Sequence, residues 1–539
     1  MTKQAKRILS LYMLFTVCFM AILVRIVYIN FSSYASAGQE QATRTVVVGS
    51  TRGKIYDRNG ELLVDRTSKL VAAVTPVAAA KKYISSYFDE NGILEKIEKG
   101  YPFVAVVKKE INNELIKTFS VPVRYSPNSL ASHTVGYIDS SGIGVTGIER
   151  AFEKELSAQS GKLTVSFEVD ALGRVLAGMD KTVTNDNFNS KSGVMLTLDK
   201  SIQQITENVI KESDIQSGCA VVLEASSGDI VALSSVPDFD RNNVEAYLES
   251  ENSPLVNKAL EAYSAGSVFK SVIGAFALEN GISEEKSYEC EGTVTIGDKT
   301  FTCAGEKAHG KLNMAEALQQ SCNSYFINLT KELDREKLIS FCKELGFGKS
   351  IVLCKDMESE SGLLCDASSL SIDGDLANFS FGQGNLLVTP LQLAKVYSAL
   401  STGKVTDPRL VCGFCDSKGK VSEEKAPKGK SVISESTVEK MREMLFLVTE
   451  KGIATNAKSD IVKIAGKTGT AQSGIFDSNG EEIYRTWFAG FYPYDEPKYV
   501  VVVMDENGSG GNYDCAPVVR EICEEIERAS LCDAVVSSK

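Results

Sequence analysis

The sequence predicts a mixed α/β chain of two or three domains, held behind a single helix that crosses a membrane. Three observations carry that prediction. A length of 539 residues exceeds what one ordinary hydrophobic core organises. The 17 residues from Ile8 to Val24 carry no charge. Beyond them, short apolar runs bounded by turn residues alternate with helical segments, without internal repeats. Hydrophobic residues at 43% and charged residues at 24% exclude a mainly disordered or fibrous chain.

Taken from the N-terminus, residues 1–7 form a short tail containing Lys3, Lys6 and Arg7. By the positive-inside rule this tail is cytoplasmic and everything after the helix lies outside. The anchor is placed at 8–29, because Ile26 to Ile29 continue the apolar run and Arg25 can snorkel to the headgroups. A polar stalk follows at 30–43. Small residues in Ser32-Ser33-Tyr34-Ala35-Ser36-Ala37 leave a cleaved signal peptide as the alternative. Thr45 to Val48 read as a strand, and Asn59-Gly60 followed by Glu61 to Val64 reads as a hairpin. The glycines of Gly142 to Gly147 read as a structural turn running into a helix rather than as a phosphate loop. Val194 to Leu198 read as a strand with Asp199 capping the next helix. Cys219 to Leu223 and Asp229 to Leu233 read as strands joined at Ser226-Ser227-Gly228. A large C-terminal domain therefore starts near residue 200, giving 44–200 and 201–539.

Charge and side-chain inventory narrow the chemistry. A net charge of −12 argues against nucleic acid as a partner, because phosphate binding needs a basic patch. Two histidines in the whole chain argue against a Ser-His-Asp triad and against a His-based metal site, leaving Lys, Asp or Glu for acid/base work. Of the 13 cysteines, Cys290 and Cys303 flank a strand-like stretch, Thr293 to Thr302, turning at Gly297-Asp298, and are the best disulfide candidates. Cys412-Gly413-Phe414-Cys415 has redox-motif spacing but sits on no βαβ pattern. With no pair of C-x-x-C motifs, no metal and no cofactor are expected.

Three short motifs carry the chemistry. In Ser267-Val268-Phe269-Lys270, a helical start puts the Lys270 ammonium beside the Ser267 hydroxyl, and a desolvated lysine can take a serine's proton. Ser321-Cys322-Asn323 offers a hydroxyl for proton transfer and an amide to hold a substrate carbonyl. Lys467-Thr468-Gly469-Thr470, as an edge strand, presents backbone to an extended peptide, with Lys467 and the threonine hydroxyls fixing a carboxylate. Each motif alone has a bland reading as a cap, a loop pair or an exposed strand. Their order Ser-x-x-Lys, Ser-x-Asn, Lys-Thr-Gly, 54 and then 146 residues apart, is the signature of serine enzymes that react with penicillin.

On these motifs the chain resembles a class B penicillin-binding protein, a monofunctional peptidoglycan D,D-transpeptidase. The likeness extends through Arg52-Gly53 to Asn59-Gly60, Gly142 to Phe152, and Gly218 to Asn242 with its Asp238-Phe239-Asp240. It continues in Phe381-Gly382-Gln383-Gly384, Thr389-Pro390-Leu391-Gln392-Leu393-Ala394 and Trp487-Phe488-Ala489-Gly490. Ala265 and Val268 stand where proline and threonine are usual. The resemblance implies an α/β (α+β) transpeptidase fold: an antiparallel sheet flanked by helices over 201–539, with a smaller pedestal domain over 44–200. It implies that Ser267 attacks the D-Ala-D-Ala bond of a stem peptide with Lys270 as base, and that Ser321 and Asn323 shuttle the proton and position the donor. Lys467, Thr468 and Thr470 would bind the carboxylate or its β-lactam mimic, and the N–H groups of Ser267 and Thr470 would form the oxyanion hole. A helix is expected from Ala516 to Leu531 with no wall-binding module after it. No glycosyltransferase domain is expected before residue 200, so glycan polymerisation would come from a multispanning membrane partner. The competing readings are a D,D-carboxypeptidase, a β-lactamase, a β-lactam sensor and a non-catalytic cell-wall scaffold.

Overall fold

The computed structural model describes residues 2–31, 42–88, 91–127, 129–297, 299–476 and 479–537, the last five by backbone alone. The N-terminal helix runs Lys3–Phe31 and has no buried residue. It is long and apolar enough to cross a membrane, at about 43 Å against a hydrocarbon core of about 30 Å. The stalk expected over 30–43 lies mostly outside the described residues, as do Ser32 to Ala37 entirely and the turn residue Asp298.

Contacts divide the chain into two compact units: Met1–Arg52, Asp65–Arg124 and Ala158–Ser190, and then Gly53–Val64, Tyr125–Ser157 and Lys191–Lys539. The first unit contains two three-stranded antiparallel sheets. In one, Gly161–Glu168 pairs with Thr43–Thr51 and Thr182–Asp186. In the other, Thr67–Val74 lies between Phe103–Val106 and Ile116–Val123. Because successive strand residues point to opposite faces, Ala72 and Val74 enter one apolar cluster while Val71 and Ala73 enter another. That strand is buried on both sides at its C-terminal end.

The second unit is built on a five-stranded antiparallel sheet in the order Ile230–Val236, Gly218–Glu224, Tyr499–Gly508, Glu482–Tyr492, Ala465–Phe476. Val221, Val222, Leu223 and Val500 to Val503 are all buried, so the two middle strands are apolar on both faces. Two helix pairs cover them. Lys200–Glu212 packs against Cys515–Ser537 and the sheet, while Pro390–Thr402 packs against Glu435–Glu450 and the sheet. Asp199 caps the first of these helices, accepting from Ser201 N at 2.9 Å and Ile202 N at 3.2 Å, as expected. The hairpin at 218–236 turns through Gly228 at φ +75°.

The hairpin expected at Asn59-Gly60 forms in a short version: Tyr56 bridges Leu62, Asp57 N donates to the Glu61 carbonyl at 2.8 Å and Leu63 N to the Ile55 carbonyl at 2.9 Å. Its first arm, Lys54–Tyr56, also pairs in parallel with Gly193–Leu196. The turn is fixed by the buried Asp57 carboxylate, which accepts from Asn59 N at 2.9 Å, Glu61 N at 2.7 Å and Lys200 N at 3.1 Å. Segments 53–64 and 125–157, read from sequence as part of 44–200, pack with the C-terminal unit. Arg58 lies 3.6 Å from Glu224, Ala131 N donates to Glu207 at 2.6 Å, and Asn242 donates to the Tyr125 carbonyl at 3.2 Å. Asp57→Ala strands two N–H donors of the 53–64 segment and the Lys200 N–H, and we expect it to destabilise the chain by about 2–4 kcal/mol. A lower thermal unfolding midpoint of the detergent-solubilised full chain would register it.

Candidate active site

Ser267 lies in a single 3₁₀ turn, Gly266–Phe269, that runs directly into the helix Lys270–Glu279. In a 3₁₀ turn, residues three apart eclipse one another, so Ser267 and Lys270 share one side as their spacing predicts. Ser267 is partly exposed while Lys270 is fully buried. Three hydrogen bonds from distant segments hold the turn. Gly266 N donates to the Gly382 carbonyl at 2.8 Å, the Tyr397 hydroxyl donates to the Val268 carbonyl at 2.9 Å, and Trp487 Nε1 donates to the Ser264 carbonyl at 3.0 Å. Tyr397 carries no motif of its own, although it lies on the helix that begins with the matched Thr389 to Ala394 segment. It was missed because its contact spans 129 residues.

Ser321 and Asn323 meet Lys270 from the other side. Lys270 Nζ donates to the Ser321 carbonyl at 2.7 Å, to Ser321 Oγ at 3.1 Å and to Asn323 Oδ1 at 2.6 Å. Lys467 Nζ, also fully buried, donates to the same Ser321 Oγ at 3.0 Å and to the Thr468 carbonyl at 3.0 Å. One hydroxyl therefore stands between two lysines. Ser321 adopts φ +51°, a left-handed conformation that costs a non-glycine residue about 1–3 kcal/mol and persists only where its surroundings impose it. Asn323 is engaged at both ends, since its Nδ2 donates to the Thr302 carbonyl at 2.7 Å. Its amide oxygen is thereby aimed at Lys270, with one Nδ2 hydrogen left for another acceptor.

Burial sets the proton affinities. It pulls the Lys270 ammonium down to about 8 from the usual 10.5. Burial also holds Lys467 well below the usual lysine value, and the adjacent Lys270 charge pushes it further. Two ammonium groups on one hydroxyl in a dry pocket repel, so the pair favours a state with a single proton.

Lys467, Thr468, Gly469 and Thr470 lie on Ala465–Phe476, which is an edge of the five-stranded sheet. Thr468 is buried and Thr470 exposed. Gly469 faces the nucleophile turn: a Cβ there would stand 3.0 Å from the Ala265 carbonyl oxygen and 3.2 Å from Val268 Cγ1. The close approach that glycine permits is thus made by the Ser267 turn itself, which sets Gly266 against the Thr470 backbone. Gly469→Ala is expected to cost about 1–3 kcal/mol by overpacking this contact, measured as a fall in the unfolding midpoint.

Comparison with known proteins agrees with this geometry. The family model of the penicillin binding protein transpeptidase domain matches residues 218–524. Stage V sporulation protein D of Bacillus subtilis is 28% identical, over 96% of this chain and 85% of its own length. The probable peptidoglycan D,D-transpeptidase PenA of Neisseria meningitidis is 27% identical, over 94% of this chain and 89% of its own. Among solved structures, penicillin binding protein 3 of Mycobacterium tuberculosis, complexed with aztreonam, matches with a TM-score of 0.65. It is 23% identical and covers 90% of this chain and 97% of that one, a likeness of fold. With its serine, lysines and edge strand gathered on that fold, the chain belongs to the penicillin-binding protein transpeptidase family, as a class B member.

Proposed function

We propose that this chain is a serine-type peptidoglycan D,D-transpeptidase that cross-links stem peptides through an acyl-enzyme on Ser267. The observation that supports it best is the convergence of Lys270 and Lys467 on the Ser321 hydroxyl beside the Ser267 turn. Neutral Lys270 takes the Ser267 proton as Oγ attacks the carbonyl of the D-Ala-D-Ala bond. The Ser321 hydroxyl, bridged to both lysines, passes a proton to the leaving D-Ala amine. The amine of a second stem peptide then displaces Ser267 and forms the cross-link. The donor strand adds to the open edge of Ala465–Phe476, with the Thr468 and Thr470 hydroxyls and the Lys467 charge facing its carboxylate. N–H groups of Ser267 and Thr470 hold the oxyanion. Asn323 positions Lys270 through its amide oxygen.

The same reading extends to the rest of the chain. The helix Lys3–Phe31 anchors the protein, with Lys3, Lys6 and Arg7 keeping its N-terminus cytoplasmic and the catalytic unit outside. The first unit serves as the family's pedestal, and glycan polymerisation falls to a multispanning membrane partner. β-Lactams, which carry a strained amide and a carboxylate, occupy the donor site and leave a slowly hydrolysed adduct.

Intact-protein mass spectrometry of the full chain in detergent with benzylpenicillin tests the nucleophile. One adduct on the wild type and none on Ser267→Ala is the expected result. No adduct, with the drug recovered intact, would remove the acyl-enzyme. The base carries a pH signature. Lys270 acts only when neutral, so the acylation rate should climb about tenfold per unit below about pH 8 and level off above it. Lys270→Arg, cationic throughout, should acylate at least about 100-fold more slowly at every pH.

A further inference from the structure

Four metal-binding side chains outside the proton-transfer machinery meet in one place. The Sγ atoms of Cys290, Cys303 and Cys322 and Nδ1 of His309 all lie within 4.8 Å of one another. The three cysteines are buried and His309 is half-buried. The Sγ–Sγ distances are 3.7 Å for Cys290 to Cys303 and 3.8 Å for Cys303 to Cys322, and Cys290 Sγ stands 3.4 Å from His309 Nδ1. A tetrahedral zinc with Zn–S about 2.3 Å and Zn–N about 2.05 Å has sulfur–sulfur edges of about 3.8 Å and sulfur–nitrogen edges of about 3.5 Å. These three separations match edges of that polyhedron, and the other three lie within 4.8 Å. Cys290 and Cys303 are not bonded to each other: their sulfurs stand well beyond the about 2.05 Å of a disulfide, and every cysteine in the chain is a free thiol. The expectation of a disulfide here gives way to a four-donor arrangement that also takes in Cys322 and one of the chain's two histidines.

A backbone donor also faces the cluster. Cys322 is the N-cap of the helix Asn323–Lys331, and its sulfur accepts from Tyr325 N at 3.3 Å. Backbone N–H groups at a helix start and sulfur in the first turn are complementary in charge. The surrounding elements also need a tie. Thr293–Ile296 and Lys299–Thr302 form a two-stranded hairpin that buries only Ile296, a structure marginal by itself. Cys290 precedes it, Cys303 follows it, and Cys322 is the middle residue of the catalytic Ser321-Cys322-Asn323 loop.

We propose that Cys290, Cys303, His309 and Cys322 bind one structural Zn²⁺, clamping the hairpin ends to the loop that carries Ser321 and Asn323. Binding releases three thiol protons to solvent and fills all four positions, so the metal performs no chemistry on the stem peptide. It holds Ser321 in its left-handed conformation and Asn323 against Thr302. Three thiolates and an imidazole in tetrahedral array select zinc over oxygen-seeking cations. The spacing Cys-x₁₂-Cys-x₅-His-x₁₂-Cys contains no short chelating pair, which is why the absence of paired C-x-x-C motifs pointed away from a metal.

The test is metal analysis of the full chain purified in detergent without chelator, followed by replacement of the metal with Co²⁺. One zinc per chain is expected, together with thiolate-to-cobalt charge transfer and tetrahedral d–d bands after replacement. Cys290→Ser and His309→Ala should each lower zinc affinity at least about tenfold, while the Cys412→Ser, Cys415→Ser double variant keeps full metal. The cobalt spectrum of the wild type needs no variant to fold. No stoichiometric zinc and no cobalt bands from the reduced chain would overturn the site, as would a Cys290–Cys303 disulfide mapped in the native protein. The clamp's catalytic effect rests on the proposed Ser267 acylation. Chelation should slow benzylpenicillin adduct formation at least about tenfold, and zinc should restore it. Unchanged acylation of the metal-free protein would overturn the clamp. One zinc with no adduct in either state would sink the acylation and leave the zinc site standing.

Discussion

Two buried lysines converge on one serine hydroxyl, and most of what surrounds them serves to make that arrangement tolerable. Removing an ammonium from water costs several kcal/mol even after relaxation, and two side by side cost more. The protein offsets part of that with polar contacts: a carbonyl, a hydroxyl and an amide oxygen around Lys270, and a hydroxyl and a carbonyl around Lys467. What remains uncompensated appears as lowered proton affinity, which is the property a serine's base needs. Stability is given up locally for reactivity. The left-handed Ser321 belongs to the same exchange.

Such a site cannot sit on mobile segments, and each of its parts is fixed by something larger. Lys467 lies on a strand whose neighbour carries Trp487, and that indole reaches across to the Ser264 carbonyl. Tyr397, on a helix buried against the sheet, hydrogen-bonds the turn that bears Ser267. Gly469 lets the Lys467 strand and the turn that bears Ser267 approach closely. That strand is an edge of its sheet, the geometry that strand addition by an extended peptide requires. The thiol and imidazole cluster meets the loop of Ser321 and Asn323, with Cys322 lying between them.

Much of this was legible in the sequence, and the pattern of success is physical. Ser267 and Lys270 could be placed on one side of a turn because a spacing of three has a fixed meaning there. The strands at 218–236 and the Asp199 cap were found because alternation and turn chemistry are local. The hairpin at Asn59-Gly60 is short, and its turn signal cannot reveal that Lys54–Tyr56 also has a parallel partner at Gly193–Leu196. Segments 53–64 and 125–157 were grouped by their position along the chain, whereas Asp57, Arg58 and Ala131 are held by residues far downstream. Tyr397 and the Cys-Cys-His-Cys cluster were invisible for the same reason: their partners are distant and no short spacing advertises them.

By itself, then, the sequence determined the family chemistry. Two serines, two lysines, an asparagine, a threonine and a glycine in a particular order name a reaction, and an uncharged run behind basic residues names an anchor. Those signals depend on residue type and near-neighbour spacing, which folding does not alter. Only the tertiary structure decided which lysine meets which oxygen, how dry each one is, and that Cys322 faces Cys303 rather than solvent. Proton affinity and metal-ligand geometry are properties of distances under a few ångströms between residues tens or hundreds of positions apart. Those distances exist only once the sheet, the turn and the hairpin have packed.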